Sequence, residues 1–282
     1  MLMQNTLNGI VDQSSKAIPI NDGDYIGENG LLYCGKCNTP KQAEIELFGN
    51  FRRPYCLCKC EAEKRDAEEA ARKREEFERR VKDLRKMGFP KEEIEEMEQL
   101  TFANDDMENE RITKAMKRYV ENFPEMKKQG KGLLLYGQRG RGKTYAACEV
   151  ANALIDEGYH VLVTNFSRVL NTLQGTFEKQ EYMDSLNRFQ LLVIDDLGIE
   201  RETPFAKEQV YNIIDSRYRA GLPMIITTNL SIEQIKKPED IENGRIYDRI
   251  LERCFPVEVA GPNRRHKVIR ESYNDMKDLL GL

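Results

Sequence analysis

The sequence predicts an α/β fold, a mostly parallel sheet with helices on both faces, and three observations carry that prediction. From about Thr101 onward, short apolar runs of buried-strand character alternate with amphipathic stretches of helical spacing. A glycine-rich loop, Gly137–Thr144, joins one such run to the stretch that follows it. The chain before Thr101 reads differently. Of 282 residues, 33% are charged, 40% are hydrophobic and none is Trp, which is thin for one globule and requires a long solvated segment.

That segment lies in the first hundred residues. Met1 to Ser15 is polar and lacks the charged-then-apolar pattern of a leader. Cysteines cluster between Cys34 and Cys60. From Glu61 to Lys86 the chain is almost continuously charged, with no Gly or Pro. Ala67, Ala70, Phe77, Val81 and Leu84 draw a narrow apolar stripe along it. Such a helix is either a solvated linker or a docking face for a partner. Gly88-Phe89-Pro90 ends it, and a short helix is expected over Lys91–Gln99.

Beyond Thr101, strands are expected at Gly132–Tyr136, His160–Thr164, Gln190–Asp195, Pro223–Thr228 and Phe255–Val259. Helices are expected at Arg141–Glu157, Phe205–Arg219 and Gly244–Arg253. No apolar run approaches the ~20 residues that span a bilayer. The expectation is a soluble, cytoplasmic protein with reduced thiols. A net charge of −4 excludes a bulk polycation that coats nucleic acid. Any such contact falls to local patches such as Arg52-Arg53 or Arg264-Arg265.

Gly137-Gln138-Arg139-Gly140-Arg141-Gly142-Lys143-Thr144 satisfies G-x-x-x-x-G-K-[ST], between a predicted strand and a predicted helix that continues with Tyr145. Glycines let backbone N–H groups turn inward around phosphate oxygens, and the helix N-terminus favours negative charge. Lys143 reaches the β- and γ-phosphates and Thr144 ligates Mg²⁺. Leu191–Asp196 is an apolar strand ending in two carboxylates. A buried parallel strand delivers both to the carboxyl edge of the sheet, where ligands bind in this fold class. Asp195 is expected to hold Mg²⁺ and Asp196 to polarise the attacking water, slowly, because Asp is shorter than Glu.

Asn229 ends the strand Met224–Thr228 and either orients that water or caps a helix beginning near Ser231. Arg245 and Arg249, four apart on a helix, either reach a neighbouring subunit's γ-phosphate or belong to a solvated face with an intrahelical pair of Asp248 and Arg245. Cys34-x-x-Cys37 and Cys56-Leu57-Cys58-Lys59-Cys60 have zinc-ribbon spacing. The favoured ligands are Cys34, Cys37, Cys58 and Cys60, with Cys56 as alternate, for Zn²⁺ ahead of an Fe–S cluster. Cys148 and Cys254 read as core residues.

On GQRGRGKT (Gly137–Thr144), LLVIDDLGIE (Leu191–Glu200), IITTNLS (Ile225–Ser231) and GRIYDRILERC (Gly244–Cys254), the chain resembles the DnaC-type helicase-loader AAA+ ATPases, kin of the IstB-type transposition helpers. YCGKCNTP (Tyr33–Pro40) and YCLCKCE (Tyr55–Glu61) resemble loaders of phages and prophages of Gram-positive bacteria. The resemblance implies a five-stranded AAA+ core over 101–282, a zinc-binding, helicase-gripping module over 1–62 and a charged helical linker over 63–100. It implies Asn229 as first sensor, Arg249 as arginine finger with Arg245 second, Arg265 as second sensor and Phe102 beside adenine. It implies ATP and ADP, Mg²⁺ and Zn²⁺ as cofactors. The implied partners are the replicative hexameric helicase, single-stranded DNA and further copies of the chain. The alternatives are a transposition helper ATPase and a nucleotide-binding adaptor without productive hydrolysis.

Overall fold

The computed structural model describes residues 19–198, 203–238 and 240–264, with Tyr273, Met276, Lys277, Leu279 and Leu280. Two compact units divide after Phe77. No helix among the described residues is long and apolar enough to cross a membrane.

The N-terminal unit is built on two small antiparallel pairs. β1 (Tyr25–Ile26) pairs with β2 (Leu32–Tyr33), and β3 (Ile45–Leu47) pairs with β4 (Asn50–Arg52). Helix α1 (Lys59–Gly88) begins here. So small a unit has little apolar core, and a buried charge does part of the organising. The ammonium of Lys41 is fully buried, 2.9 Å from Asp24 and 3.2 Å from Glu61, and it donates to the carbonyl of Pro19 at 2.8 Å. Two carboxylates and a carbonyl compensate a cation that would otherwise be costly to bury.

The C-terminal unit holds the larger sheet. Ahead of it lie α2 (Ile94–Met97), α3 (Glu110–Glu121) and α4 (Phe123–Gln129). Strands and helices then alternate: β5 (Gly132–Tyr136), α5 (Lys143–Asp156), β6 (Val161–Asn165), α6 (Phe166–Gly175), α7 (Lys179–Leu186), β7 (Leu191–Leu197), α8 (Pro204–Arg219), β8 (Met224–Thr228), α9 (Ile232–Lys236), α10 (Ile241–Arg253) and β9 (Cys254–Glu258). The five strands run in the order β6-β7-β8-β5-β9, every neighbouring pair parallel. The chain is an α/β protein whose five-stranded parallel sheet carries helices on both faces.

Alternation along the strands splits the core in two. Leu133, Leu135, Leu191, Val193 and Ile225 face one cluster with α3 and α5, while Leu134, Leu192, Ile194, Met224 and Ile226 face the other with α6, α8 and α10. Both faces are covered, so the strands read as continuous apolar runs. Pro256 sits on β9, at the sheet edge, where a missing N–H does least harm.

The five expected strands are all present, Gly132–Tyr136 with unchanged bounds and the others with boundaries moved by one or two residues. α5 starts at Lys143 rather than Arg141, because Gly142 is in the left-handed region and belongs to the loop. α10 starts at Ile241, where the side chain of Asp240 caps Asn243 N–H at 2.7 Å. Ser231 and Gln234 form a capping box on α9. The charged helix ends by docking on this unit: Leu84 is buried, and Gly88 passes so close that a Cβ would lie 2.7 Å from the carbonyl oxygen of Val161. Helices α3, α4, α6 and α7 were not expected from the sequence.

Candidate functional site

β5 stops at Tyr136 and the chain turns through Gly137, Gly140 and Gly142, all with positive φ. At Gly137, with φ near +142°, a Cβ would lie 2.7 Å from the carbonyl oxygen of Val259. The strand-to-loop join therefore requires glycine for space as well as for conformation. The loop closes into the N-terminus of α5, which points at the carboxyl edge of the sheet.

Lys143 is 6% exposed. Its ammonium donates to the carbonyls of Gly137 and Gln138, both at 2.9 Å, and to Asn229 Oδ1 at 2.8 Å. The Thr144 hydroxyl lies 3.0 Å from both carboxylate oxygens of Asp195. The lysine, the threonine, the first acid of β7 and the tip of β8 therefore meet at one point, though far apart in sequence. They line a cleft of ≈ 890 Å³ together with Arg139, Gly140, Asp196 and Arg264.

A residue not singled out from the sequence organises the acids. The Thr227 hydroxyl, fully buried on β8, donates to Asp195 Oδ1 at 2.5 Å and accepts from Asp196 N–H at 2.9 Å. Burial pushes the Asp195 carboxyl above the usual carboxylate range; the hydroxyls of Thr227 and Thr144 pull it down, and Asp196 adds to the rise. Asp196 itself has φ near +60°, left-handed for a non-glycine residue, and the β7–β8 register slips between Ile194 and Leu197. This bulge re-aims the second acid. Asn229 Nδ2 donates to it at 3.4 Å. The visible signal for Thr227 was a polar residue inside an otherwise apolar strand.

The remaining expected residues are placed as follows. Gln138 accepts from Arg141 at 2.8 Å, and Arg141 also donates to the carbonyl of Gly261. Tyr145 carries the guanidinium of Arg264 over its ring at 5.1 Å. Arg264 bonds Asp106 at 2.9 Å and Asp105 at 3.3 Å. Arg265 lies outside the described residues. Phe102 packs on the core cluster of α3 and α5 with the Lys117 ammonium 5.5 Å from its ring, and is not a lining residue of the cleft. Arg249 is engaged within its own chain: Nε donates to Asp215 at 2.6 Å and Nη2 to the Tyr211 hydroxyl at 2.7 Å. Its ion-pair partner is Asp215. Arg245 is exposed, at a small groove with Lys207 and Tyr211.

In the N-terminal unit, the sulfurs of Cys34, Cys37, Cys58 and Cys60 all lie within 4.8 Å of one another. Two of the separations are 3.6 Å (Cys34–Cys60) and 3.4 Å (Cys58–Cys60). A tetrahedral thiolate shell with Zn–S near 2.3 Å has edges of about 3.8 Å, so this donor set fits a closed zinc site. The Thr39 hydroxyl pulls the Cys37 thiol down to about 5, toward the thiolate form that metals take. Cys56 stands outside the group, its thiol 3.6 Å from the carbonyl of Pro40. Cys148 and Cys254 are buried in the two core clusters.

Comparison with known proteins agrees with this architecture. The replicative helicase loader DnaI of Bacillus subtilis is 28% identical over 168 residues, 55% of this chain and 52% of that protein. The replicative helicase loader DnaC of Escherichia coli K12 is 26% identical over 139 residues, 48% of this chain and 54% of that one. The chain thus spans about half the length of the curated relatives it matches. A crystal structure of DnaI superposes with a TM-score of 0.53 at 24% identity, over 64% of this chain and 98% of that one, and shares the fold. The description that matches most of the sequence, residues 65–272, is that of the IstB-like ATP binding proteins, and the chain belongs to that family.

Proposed function

We propose that this protein is an ATP-dependent loader of a replicative hexameric helicase onto single-stranded DNA. The observation that carries the reading is the convergence of Lys143, Thr144, Asp195 and Asn229 in one cleft, in a chain whose relatives are replicative helicase loaders.

The loop's N–H groups and the α5 terminus hold the phosphates of ATP. Lys143 exchanges Asn229 and two carbonyls for the β- and γ-phosphates. Thr144 and Asp195 would hold Mg²⁺, which when bound neutralises charge on the phosphate oxygens. Asp196 and Asn229 orient the attacking water. Asp196 is one methylene shorter than Glu and is held left-handed, which favours slow turnover by the isolated chain. Arg249 or Arg245 of a second copy completes the site, so hydrolysis depends on assembly.

The four cysteines hold Zn²⁺ and tie the N-terminal unit into a helicase-gripping module. ATP favours the state that holds the helicase open and engages single-stranded DNA, and hydrolysis, or helicase activation, releases the loader. A nucleotide-binding adaptor without productive hydrolysis is the second reading, favoured by the short, hydrogen-bonded Asp196. ATP turnover stimulated by helicase or single-stranded DNA and lost in Arg249→Ala eliminates it. Strong ATP-dependent binding of duplex DNA without helicase affinity would favour a transposition helper instead.

A further inference from the structure

The four clustered sulfurs come from two segments of chain, Cys34 and Cys37 from one, Cys58 and Cys60 from the other. One side chain bridges the segments beside the cluster. The Thr39 hydroxyl, two residues beyond Cys37, lies 3.0 Å from Cys37 Sγ and accepts from the backbone N–H of Lys59 at 2.8 Å. Lys59 stands between Cys58 and Cys60 and is the first residue of α1. Its N–H is one of the donors that a helix start leaves without an intrahelical partner.

The direction of the second contact follows from counting hydrogens. A hydroxyl has one hydrogen and two lone pairs. Lys59 N–H occupies a lone pair, and the hydrogen is left for another partner. A sulfur that holds a metal is a thiolate, with lone pairs and no hydrogen, so in the loaded site the Thr39 O–H donates to Cys37 Sγ. The backbone N–H groups of Thr39 and Cys60 donate to the same sulfur, and those of Lys36 and Cys37 serve Cys34. The turn that aims the hydroxyl is closed on itself. Asn38 holds φ near +53°, and the Cys34 N–H donates to the Thr39 carbonyl at 2.9 Å.

We infer that Thr39 is a positioning residue of the zinc site, whose hydroxyl orients Cys37 as a ligand and fastens its segment to the first turn of α1. The inference rests on the zinc reading of the four cysteines. Four thiolates around Zn²⁺ carry an excess of negative charge, so donors to the sulfurs stabilise the loaded site more than the empty one. Contacts of this kind orient the ligands and set metal affinity. One oxygen does both here. It offsets charge on Cys37, and through Lys59 it ties the segment bearing Cys58 and Cys60 to the segment bearing Cys34 and Cys37.

The test compares the full chain of the wild type with Thr39→Ser and Thr39→Ala. Each is stripped of metal, then titrated with Zn²⁺ against a chromophoric chelator and separately with Co²⁺. Thr39→Ser keeps the hydroxyl; Thr39→Ala removes it without adding bulk. Thr39→Ala is expected to bind Zn²⁺ at least about tenfold more weakly than the wild type, and Thr39→Ser within about threefold of it. Co²⁺ reports the hydrogen bond itself. A donor on sulfur lowers the energy of its lone pairs, so losing the donor moves the thiolate-to-cobalt charge-transfer band to longer wavelength. That shift is expected in Thr39→Ala and not in Thr39→Ser, with the tetrahedral cobalt bands showing that each site is assembled.

Should Thr39→Ala take up no metal at all, wild-type affinity and band position in Thr39→Ser support the hydroxyl as the acting group. If Thr39→Ala matches the wild type in affinity and band position, or if Thr39→Ser is as weak as Thr39→Ala, the inference is overturned while the zinc reading stands. If the wild type itself takes up neither Zn²⁺ nor Co²⁺, the zinc reading falls and takes the inference with it.

Discussion

The ammonium of Lys143 donates to Asn229 Oδ1 across 2.8 Å, joining the phosphate loop to the tip of β8. These two groups satisfy one another, and on the proposed reading a γ-phosphate competes with Asn229 for the ammonium. Lys143→Ala removes charge-assisted contacts worth about 1.5–3 kcal/mol, and ATP affinity should fall roughly ten- to a hundredfold. Asn229→Ala should leave ATP affinity within a few-fold and lower turnover at least about tenfold, because it acts on the water rather than the phosphates. Equal losses of binding in both variants would mean that Asn229 holds phosphate rather than water.

Thr227 holds both acids from the neighbouring strand, and Thr227→Val removes its donor and its acceptor. Without the hydroxyl, the Asp195 carboxyl rises further above its ordinary range. Mg²⁺ requires the carboxylate, so the pH at which Mg²⁺-dependent ATP binding is half lost should move upward. Mg²⁺ affinity at neutral pH should weaken by about tenfold, while Thr227→Ser stays near the wild type. A Mg²⁺ titration at several pH values checks this, and an unchanged valine variant would show the contact to be incidental.

Stability should carry the mark of Glu149. Its folded carboxyl is raised to about 8 from an ordinary value near 4.5, so between those values the folded state binds more protons than the unfolded one. Unfolding free energy therefore falls as pH rises through that window, with a slope of up to about 1.4 kcal/mol per pH unit. Below the window the penalty is absent; above it the penalty is complete. Glu149→Gln removes this contribution and should be the more stable protein at pH 8.5, by on the order of a few kcal/mol. Urea unfolding of both proteins between pH 5 and 8.5 measures it, and parallel curves would refute it.

The proposed zinc site is testable by metal content. One Zn²⁺ per chain is expected for the wild type and for Cys56→Ser, whose thiol lies outside the cluster. Cys37→Ser should lose most of the metal, and affinity should drop in acid as protons compete for the thiolates. Chelation should unfold the N-terminal unit and leave ATP binding by the C-terminal unit within about twofold. A Cys56→Ser protein without zinc would reassign the ligands.

Much of this was legible because the signals are local. GQRGRGKT and the acids after Ile194 state their chemistry within a few residues, and five strands buried on both faces read as apolar runs. The cysteine spacing picked out the same four sulfurs that converge. What was not legible depends on tertiary neighbours. Thr227 matters because a bulge in β7 brings Asp195 and Asp196 to it, and nothing within β8 reports that bulge. The partners of Arg249 come from α8, more than thirty residues upstream. Phe102 packs under Lys117 against the core cluster and does not line the cleft. Helices α4 and α7 are short and carry little signal of their own, whereas α3 and α6 show apolar residues at helical spacing (Ile112, Met116, Tyr119 and Val120; Phe166, Val169, Leu170 and Leu173) and were legible.

On the proposed reading, ATP switches the loading of a replicative helicase and not its capture. The most direct measurement is capture of the helicase from the native host by the full chain, with and without ATP, followed by loading onto single-stranded DNA. Wild type and Lys143→Ala are both expected to capture the helicase, and only the wild type is expected to load it, when ATP is present. Normal loading by Lys143→Ala, or no capture by the wild type, would contradict it.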